Sequence, residues 1–265
     1  MALTRLRWLA LALVCTFFAP PAFGQFGRQR SRPRLAAADD FDGSWHLCRL
    51  AYQGRGWGTD YPDADYNFST RVSELTKTAV SKDASGEPRP LIVRPTDDAL
   101  FACGFVMLWQ AESLYFSADD AERLREYLLK GGFIWSDDSW GTYAWDNFAQ
   151  EMAKVLPPSE FPFIDIPVDH GLFRALFHVQ KVPQIPGISF WFGTGGLTSE
   201  RGAESAEVNV RGVFDAHGRL MVLSTHNTDI ADGWEREGVS PEYFRRFSVD
   251  SYAVGINVAV YTALH

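Results

Sequence analysis

Residues 117–141 read SADDAERLREYLLKGGFIWSDDSWG, and this stretch decides the fold. Ser117, with Asp119 and Asp120 behind it, is a capping-box-like helix start whose carboxylates suit the positive end of the helix dipole. Ala121, Leu124 and Leu128 then form one apolar stripe. Gly131-Gly132 ends the helix, because glycine tolerates the left-handed C-terminal conformation. Phe133 to Ser136 reads as a buried strand that exits into Asp137-Asp138-Ser139-Trp140-Gly141. A second helix is predicted from Tyr143 to Val155, stopped by Pro157-Pro158.

The same alternation extends in both directions. Strands are predicted at Trp45 to Tyr52, Pro90 to Val93 and Phe105 to Trp109, the last a continuous apolar run suited to burial on both faces. Between the first two, Phe68, Val72, Leu75 and Ala79 mark a helix over Asp65 to Ala79. Further on, strands are expected at Ile188 to Phe192, Glu207 to Phe214 and Arg219 to Thr225. Asp215-Ala216-His217-Gly218 makes a hairpin turn between the last two. Asp250 to Leu264 closes the chain as an apolar helix. Alternating strands and helices imply an α/β fold with a mainly parallel, doubly wound sheet. A single domain over residues 41–265 is the simplest organisation.

Composition agrees with a packed globular chain, since 46% of the residues are hydrophobic and 22% charged. The formal charge of -8 argues against a nucleic-acid partner, which needs a basic face. At the start, Arg5 and Arg7 precede an apolar run from Trp8 to Ala19 and the exit Ala22-Phe23-Gly24. These are the parts of a secretory signal peptide over residues 1–24. The apolar run is short of the roughly 20 residues that span a bilayer, so no transmembrane span is expected after cleavage. The expected location is across the inner membrane, in the periplasm. Residues 25–40, with Arg28, Arg30, Arg32 and Arg34, read as a flexible leader or as a tether to anionic lipid or a partner. Export permits a disulfide between the two remaining cysteines, Cys48 and Cys103. Their apolar, strand-like surroundings favour two buried free thiols instead.

In a parallel sheet, ligands bind outside the carboxyl ends of the strands. Three strand-exit loops are rich in polar and aromatic residues. The first runs from Gly54 to Pro62, with Trp57, Asp60 and Tyr61, and continues to Asp65 and Asn67. The second is Asp137 to Gly141, with Asp138 and Trp140; the third holds His226, Asn227, Asp229, Asp232 and Trp234. The pair Asp137-Asp138 has three readings. One acid caps the helix starting near Thr142 while the other accepts backbone N–H groups; or the pair binds a ligand; or it binds a divalent cation with Asp60, Asp65, His226 or Asp229. Asp60 suits a ligand hydroxyl or its own loop's amides, and His226 suits a hydrogen-bonded structural role or an acid/base role. Trp57, Trp140 and Trp234 offer flat apolar surface beside the acids, suited to sugar rings, or pins for the loops. Gly54, Gly56 and Gly58 lack the G-K-[ST] of a phosphate cradle, and no Cys/His metal spacing or cofactor fingerprint is present.

Four ordered segments, TDYPDADYNF, LREYLLKGGFIWSDDSWG, GRLMVLSTHNTDIADGWE and GINVAVYTALH, resemble the family called domain of unknown function 4159. The resemblance implies a flavodoxin-like fold related to class I glutamine amidotransferases. It also implies a genomic neighbourhood of MoxR-type ATPases and von Willebrand A-domain proteins as partners. In the amidotransferase pattern a helix, Gly-Gly and a strand lead to a G-x-C-x-G nucleophile elbow. Here that elbow reads Asp137-Asp138-Ser139-Trp140-Gly141, with Ser139 at the nucleophile position and no cysteine. A serine needs a base, for which His170 and His226 are the candidates. The missing cysteine favours a non-catalytic module that binds a ligand or partner. The alternative is a hydrolase acting on a carbohydrate or around a metal through Asp138 and His226.

Overall fold

The computed structural model describes residues 34–264. The predicted signal peptide, the leader before Arg34 and the terminal His265 lie outside the described residues. Seven strands form one sheet: β1 (Cys48–Leu50), β2 (Leu91–Val93), β3 (Val106–Trp109), β4 (Ile134–Asp137), β5 (Ile164–Asp165), β6 (Asn209–Phe214) and β7 (Leu220–His226). Their spatial order is β2-β1-β3-β4-β7-β6-β5. The pairings from β2 through β7 are parallel. β6 and β5 extend that edge in antiparallel fashion. The helices are α1 (Asp63–Thr76), α2 (Ala118–Leu129), α3 (Gly141–Val155), α4 (Ile188–Gly193), α5 (Asp232–Glu235), α6 (Pro241–Tyr243) and α7 (Val249–Leu264). The fold is therefore mixed α/β with a mostly parallel sheet.

Alternation along the strands divides the core in two. Met107, Trp109 and Trp135 face a cluster with Phe68 of α1, Trp234 of α5 and Ile256 of α7. Val106, Leu108 and Ile134 face the other way, onto Leu124 and Leu128 of α2 and Phe148 and Met152 of α3. In α2 the Ser117 hydroxyl accepts the Asp120 N–H and the Asp120 carboxylate accepts the Ser117 N–H, so the predicted capping box is present. Gly131 follows α2 at φ 110°, a conformation strained for any side chain.

Two expectations are overturned. Residues 188–192 are the helix α4 and not a strand. Its first N–H groups have acceptors, the Ile188 N–H donating to Asp232 and the Gly187 N–H to Glu200. Phe192 is 54% exposed, unlike a residue of a buried strand. The cysteines are not free thiols: Cys48 and Cys103 form a disulfide, with their Cα atoms 6.1 Å apart. Parallel pairing sets Cys48 opposite Val106, which brings the preceding Cys103 over β1. Both cysteines are buried, as their apolar surroundings require. Among the described residues no helix is long and apolar enough to cross a membrane.

Candidate functional site

The order of the parallel strands reverses between β1 and β3, and in open α/β sheets the crevice at such a point takes ligands. Four non-glycine residues at the strand exits adopt left-handed backbone: Asp60 (φ 60°) after β1, Gln110 (φ 49°) after β3, Asp138 (φ 52°) after β4 and Asn227 (φ 64°) after β7. Each such residue carries a steric cost of order 1–3 kcal/mol, and such costs cluster at functional sites.

Three of the exit loops bring carboxylates together. Asp60, Asp138 and Asp229 each offer an oxygen, and the three oxygens lie within 4.8 Å of one another. Asp60 also belongs to a second group of the same size with Asp232 and Glu235. The two groups differ in how their charge is met. Asp232 accepts hydrogen bonds from Tyr243 Oη (2.9 Å) and Ile188 N (2.8 Å), and Glu235 lies 2.6 Å from the Arg236 guanidinium. In the first group, Asp138 Oδ1 accepts from Trp140 Nε1 at 3.2 Å and Asp229 Oδ1 from Asp232 N at 2.8 Å. Asp60 Oδ2 is closed to solvent and has no hydrogen-bond partner among the described residues.

Burial and like charge push these acids towards their protonated forms. Burial dominates for Asp60, followed by repulsion from Asp138 and Asp232, and its carboxyl is raised well above the usual range. Asp138 is raised by burial and then by Asp137 and Glu112; Asp229 is raised by burial and then by Asp138 and Asp60. Burial also carries Asp137 and Glu235 up to about 7. Glu112 and Glu200 add further negative charge around Asp138.

Other residues hold the cleft in shape. Arg49, fully buried on β1, forms an ion pair with Asp65 and donates to the Trp57 and Thr59 carbonyls (2.8 and 2.7 Å). Its guanidinium stacks 3.5 Å from the centre of the Trp109 ring and 5.5 Å from that of Tyr61, which precedes Pro62 through a cis bond. This arrangement pins the loop that presents Asp60. Asp137 accepts from Thr225 Oγ1 and from Ala231 N (3.0 Å), tying the β4 exit to the β7 exit. Asn227 Oδ1 accepts the Gly141 N–H at 2.9 Å, so Asn227 satisfies the start of α3 and neither Asp137 nor Asp138 caps it.

The remaining sequence candidates occupy structural positions. Asn67 donates to the Trp234 carbonyl. Trp234 is wholly buried and Trp140 is 8% exposed, so they offer no flat sugar platform; Trp57 is half-buried on the rim of a separate groove with Tyr52 and Arg94. His226 Nε2 donates to the Gly141 carbonyl at 2.8 Å, and its ring faces Trp145. Burial lowers its pKa, and the charges that act on it are those of Arg211 and Asp146. The imidazole and the Asp138 carboxylate therefore turn to different neighbours. Ser139 makes a backbone bridge to Thr228, and His170 accepts the Leu172 N–H while packing on Phe214 and Tyr261. The hydrogen bonds described for His170 and His226 go to Leu172 and Gly141 and not to Ser139. The strained residue at the β4–α3 turn is Asp138 and not Ser139. Gln110, Glu112 and Glu200 were missed. Gln110 directly follows a buried strand, so the strand-exit rule reaches it; Glu200 lies in a long loop without a pattern that points to the cleft.

A family model described as Domain of unknown function (DUF4159) matches residues 46–263, which is most of the chain. The chain belongs to that family. No curated protein matches it.

Proposed function

We propose that this member of the DUF4159 family is an exported, non-catalytic binding module whose ligand presents positive charge to the cleft formed by Asp60, Asp138 and Asp229. The observation that carries the reading is the convergence of three carboxylates from three separate loops within 4.8 Å. Such a gathering is unfavourable unless a cation or donor offsets it. The parallel strands run in the order 2-1-3-4-5 when numbered among themselves, the order of flavodoxin-like sheets, which supports an amidotransferase-like scaffold. On that scaffold Asp138 occupies the strained turn where a nucleophile elbow would stand. The scaffold then carries a carboxylate in place of a nucleophile, and Ser139 is tied by a backbone bridge to Thr228. The hydrolase reading through Asp138 and His226 draws no support from the geometry. Export is supported by the signal-like N-terminus and by the disulfide, a bond suited to an oxidising compartment. MoxR-type ATPases or von Willebrand A-domain proteins are the envelope partners we propose from the family resemblance.

The test is thermal unfolding of the purified chain at pH 7 against divalent cations and small amines, with Asp138→Asn alongside. A ligand at about 100 times its dissociation constant adds about 2.7 kcal/mol to stability. A shift lost in Asp138→Asn is the expected result. No shift from any cationic ligand, or turnover of an ester or amide that Ser139→Ala abolishes, would overturn the reading.

A further inference from the structure

We infer that Asp60, Asp138 and Asp229 hold one divalent cation of the calcium class. The inference deepens the reading of the cleft as the binding site and rests on it. Calcium takes oxygen ligands at about 2.3–2.6 Å, which places them on a sphere about 4.6–5.2 Å across. Three oxygens no more than 4.8 Å apart have nearly the spacing that such a sphere allows, and small side-chain shifts would bring all three onto it. Magnesium holds its ligands at about 2.0–2.1 Å in a strict octahedron and suits a cluster from three irregular loops less well.

Independent of the clustering, the donors that reach these carboxylates leave oxygens unserved: Trp140 and Gln110 serve Asp138 and the Asp232 N–H serves Asp229. Asp60 Oδ2 is sealed from solvent and has no hydrogen-bond partner among the described residues. Asp229 is 6% exposed and commits one oxygen, Oδ1, to the Asp232 N–H; no described group donates to the other. Arg49 offsets part of the Asp60 charge from a distance, but four of its five N–H groups are engaged with Asp65 and two loop carbonyls. The neighbouring group of Asp60, Asp232 and Glu235 is the weaker candidate, since Arg236 and Tyr243 already offset its charge. A single ammonium ion would leave most of the charge of three carboxylates unmet. A divalent ion offsets more of it and accepts oxygen ligands from all three sides.

The test is calorimetric titration of the chelator-treated chain with calcium chloride and, separately, magnesium chloride at pH 7. Asp60→Asn and Asp229→Asn are titrated in parallel, and thermal unfolding verifies that each is folded. The expected result is one calcium per chain, magnesium at least tenfold weaker, and at least tenfold loss of calcium affinity in each variant. Magnesium binding as tightly as calcium would overturn the assignment to the calcium class. Calcium binding unchanged in both folded variants would overturn the site. If amines shift unfolding through Asp138 and neither metal binds, the metal inference fails and the binding-module reading stands. If neither amines nor metals bind, both fail.

Discussion

Arg49 stacks on Trp109 while its N–H groups reach Asp65 and the carbonyls of Trp57 and Thr59. Removing one member of a buried ion pair strands the other, at about 3–5 kcal/mol. Arg49→Met is therefore predicted to lower unfolding stability by that amount in a denaturant titration, and Arg49→Met with Asp65→Leu to recover part of it. The acids of the cleft behave in the opposite way. Each is held in a site that resists its charge, so Asp60→Asn should stabilise the metal-free chain at pH 7, read as a higher Tm. A lower Tm would mean that Asp60 has a stabilising partner in solution. At this scale the sequence was partly legible. Asp60, Asp138 and Asp229 stood out as acids at strand exits, and the fold brings them together. The roles of Asp65, Asn67 and Asn227 were not legible, because their partners lie 16, 167 and 86 residues away and no local pattern encodes those distances.

At the scale of elements, the disulfide joins β1 to the segment leading into β3, the two strands on either side of the reversal in strand order. It closes a loop of 55 residues, worth about 4 kcal/mol in the chain-entropy account. Cys48→Ser with Cys103→Ser is predicted to lose about 2–4 kcal/mol, measured by denaturant unfolding. Equal stability with and without the bond would contradict this. Helix α2 was the most legible element, because its start, apolar stripe and Gly-Gly stop are all local. Ser117→Ala removes a cap whose partner Asp120 also accepts from Gln53, and should cost about 1 kcal/mol. Helix α4 was misread because five residues, four of them apolar, show no clear period. Acceptors from Asp232 and Glu200, distant in sequence, decide for the helix. The edge strand β5 went unseen because it has two residues, both exposed.

At the scale of the whole molecule, alternating buried strands and amphipathic helices made the α/β class and the mostly parallel sheet readable from the chain alone. The antiparallel edge was visible only as one hairpin turn. The assembled cleft also sets how stability depends on pH. Asp60, Asp138 and Asp229 are raised in the folded chain, and Asp137 and Glu235 stand at about 7. Below about 7 the folded chain holds protons that the unfolded chain has released down to its carboxylate pKa near about 4. This part of the stability therefore grows as pH falls through that window and is lost as pH rises. The chelator-treated chain is predicted to melt higher at pH 5.5 than at pH 7.5, and saturating calcium to shrink the difference by offsetting the charge at pH 7.5. Melting that falls steadily from pH 7.5 to 5.5 would contradict the balance of charges described for the cleft. The most direct test of the cleft as the binding site is a crystal structure grown with a manganese salt, an anomalous scatterer that takes oxygen ligands. The account predicts an anomalous peak within coordination distance of Asp60, Asp138 and Asp229, lost in Asp138→Asn. A peak only at other residues, or no peak at a manganese concentration that shifts thermal unfolding, would contradict it.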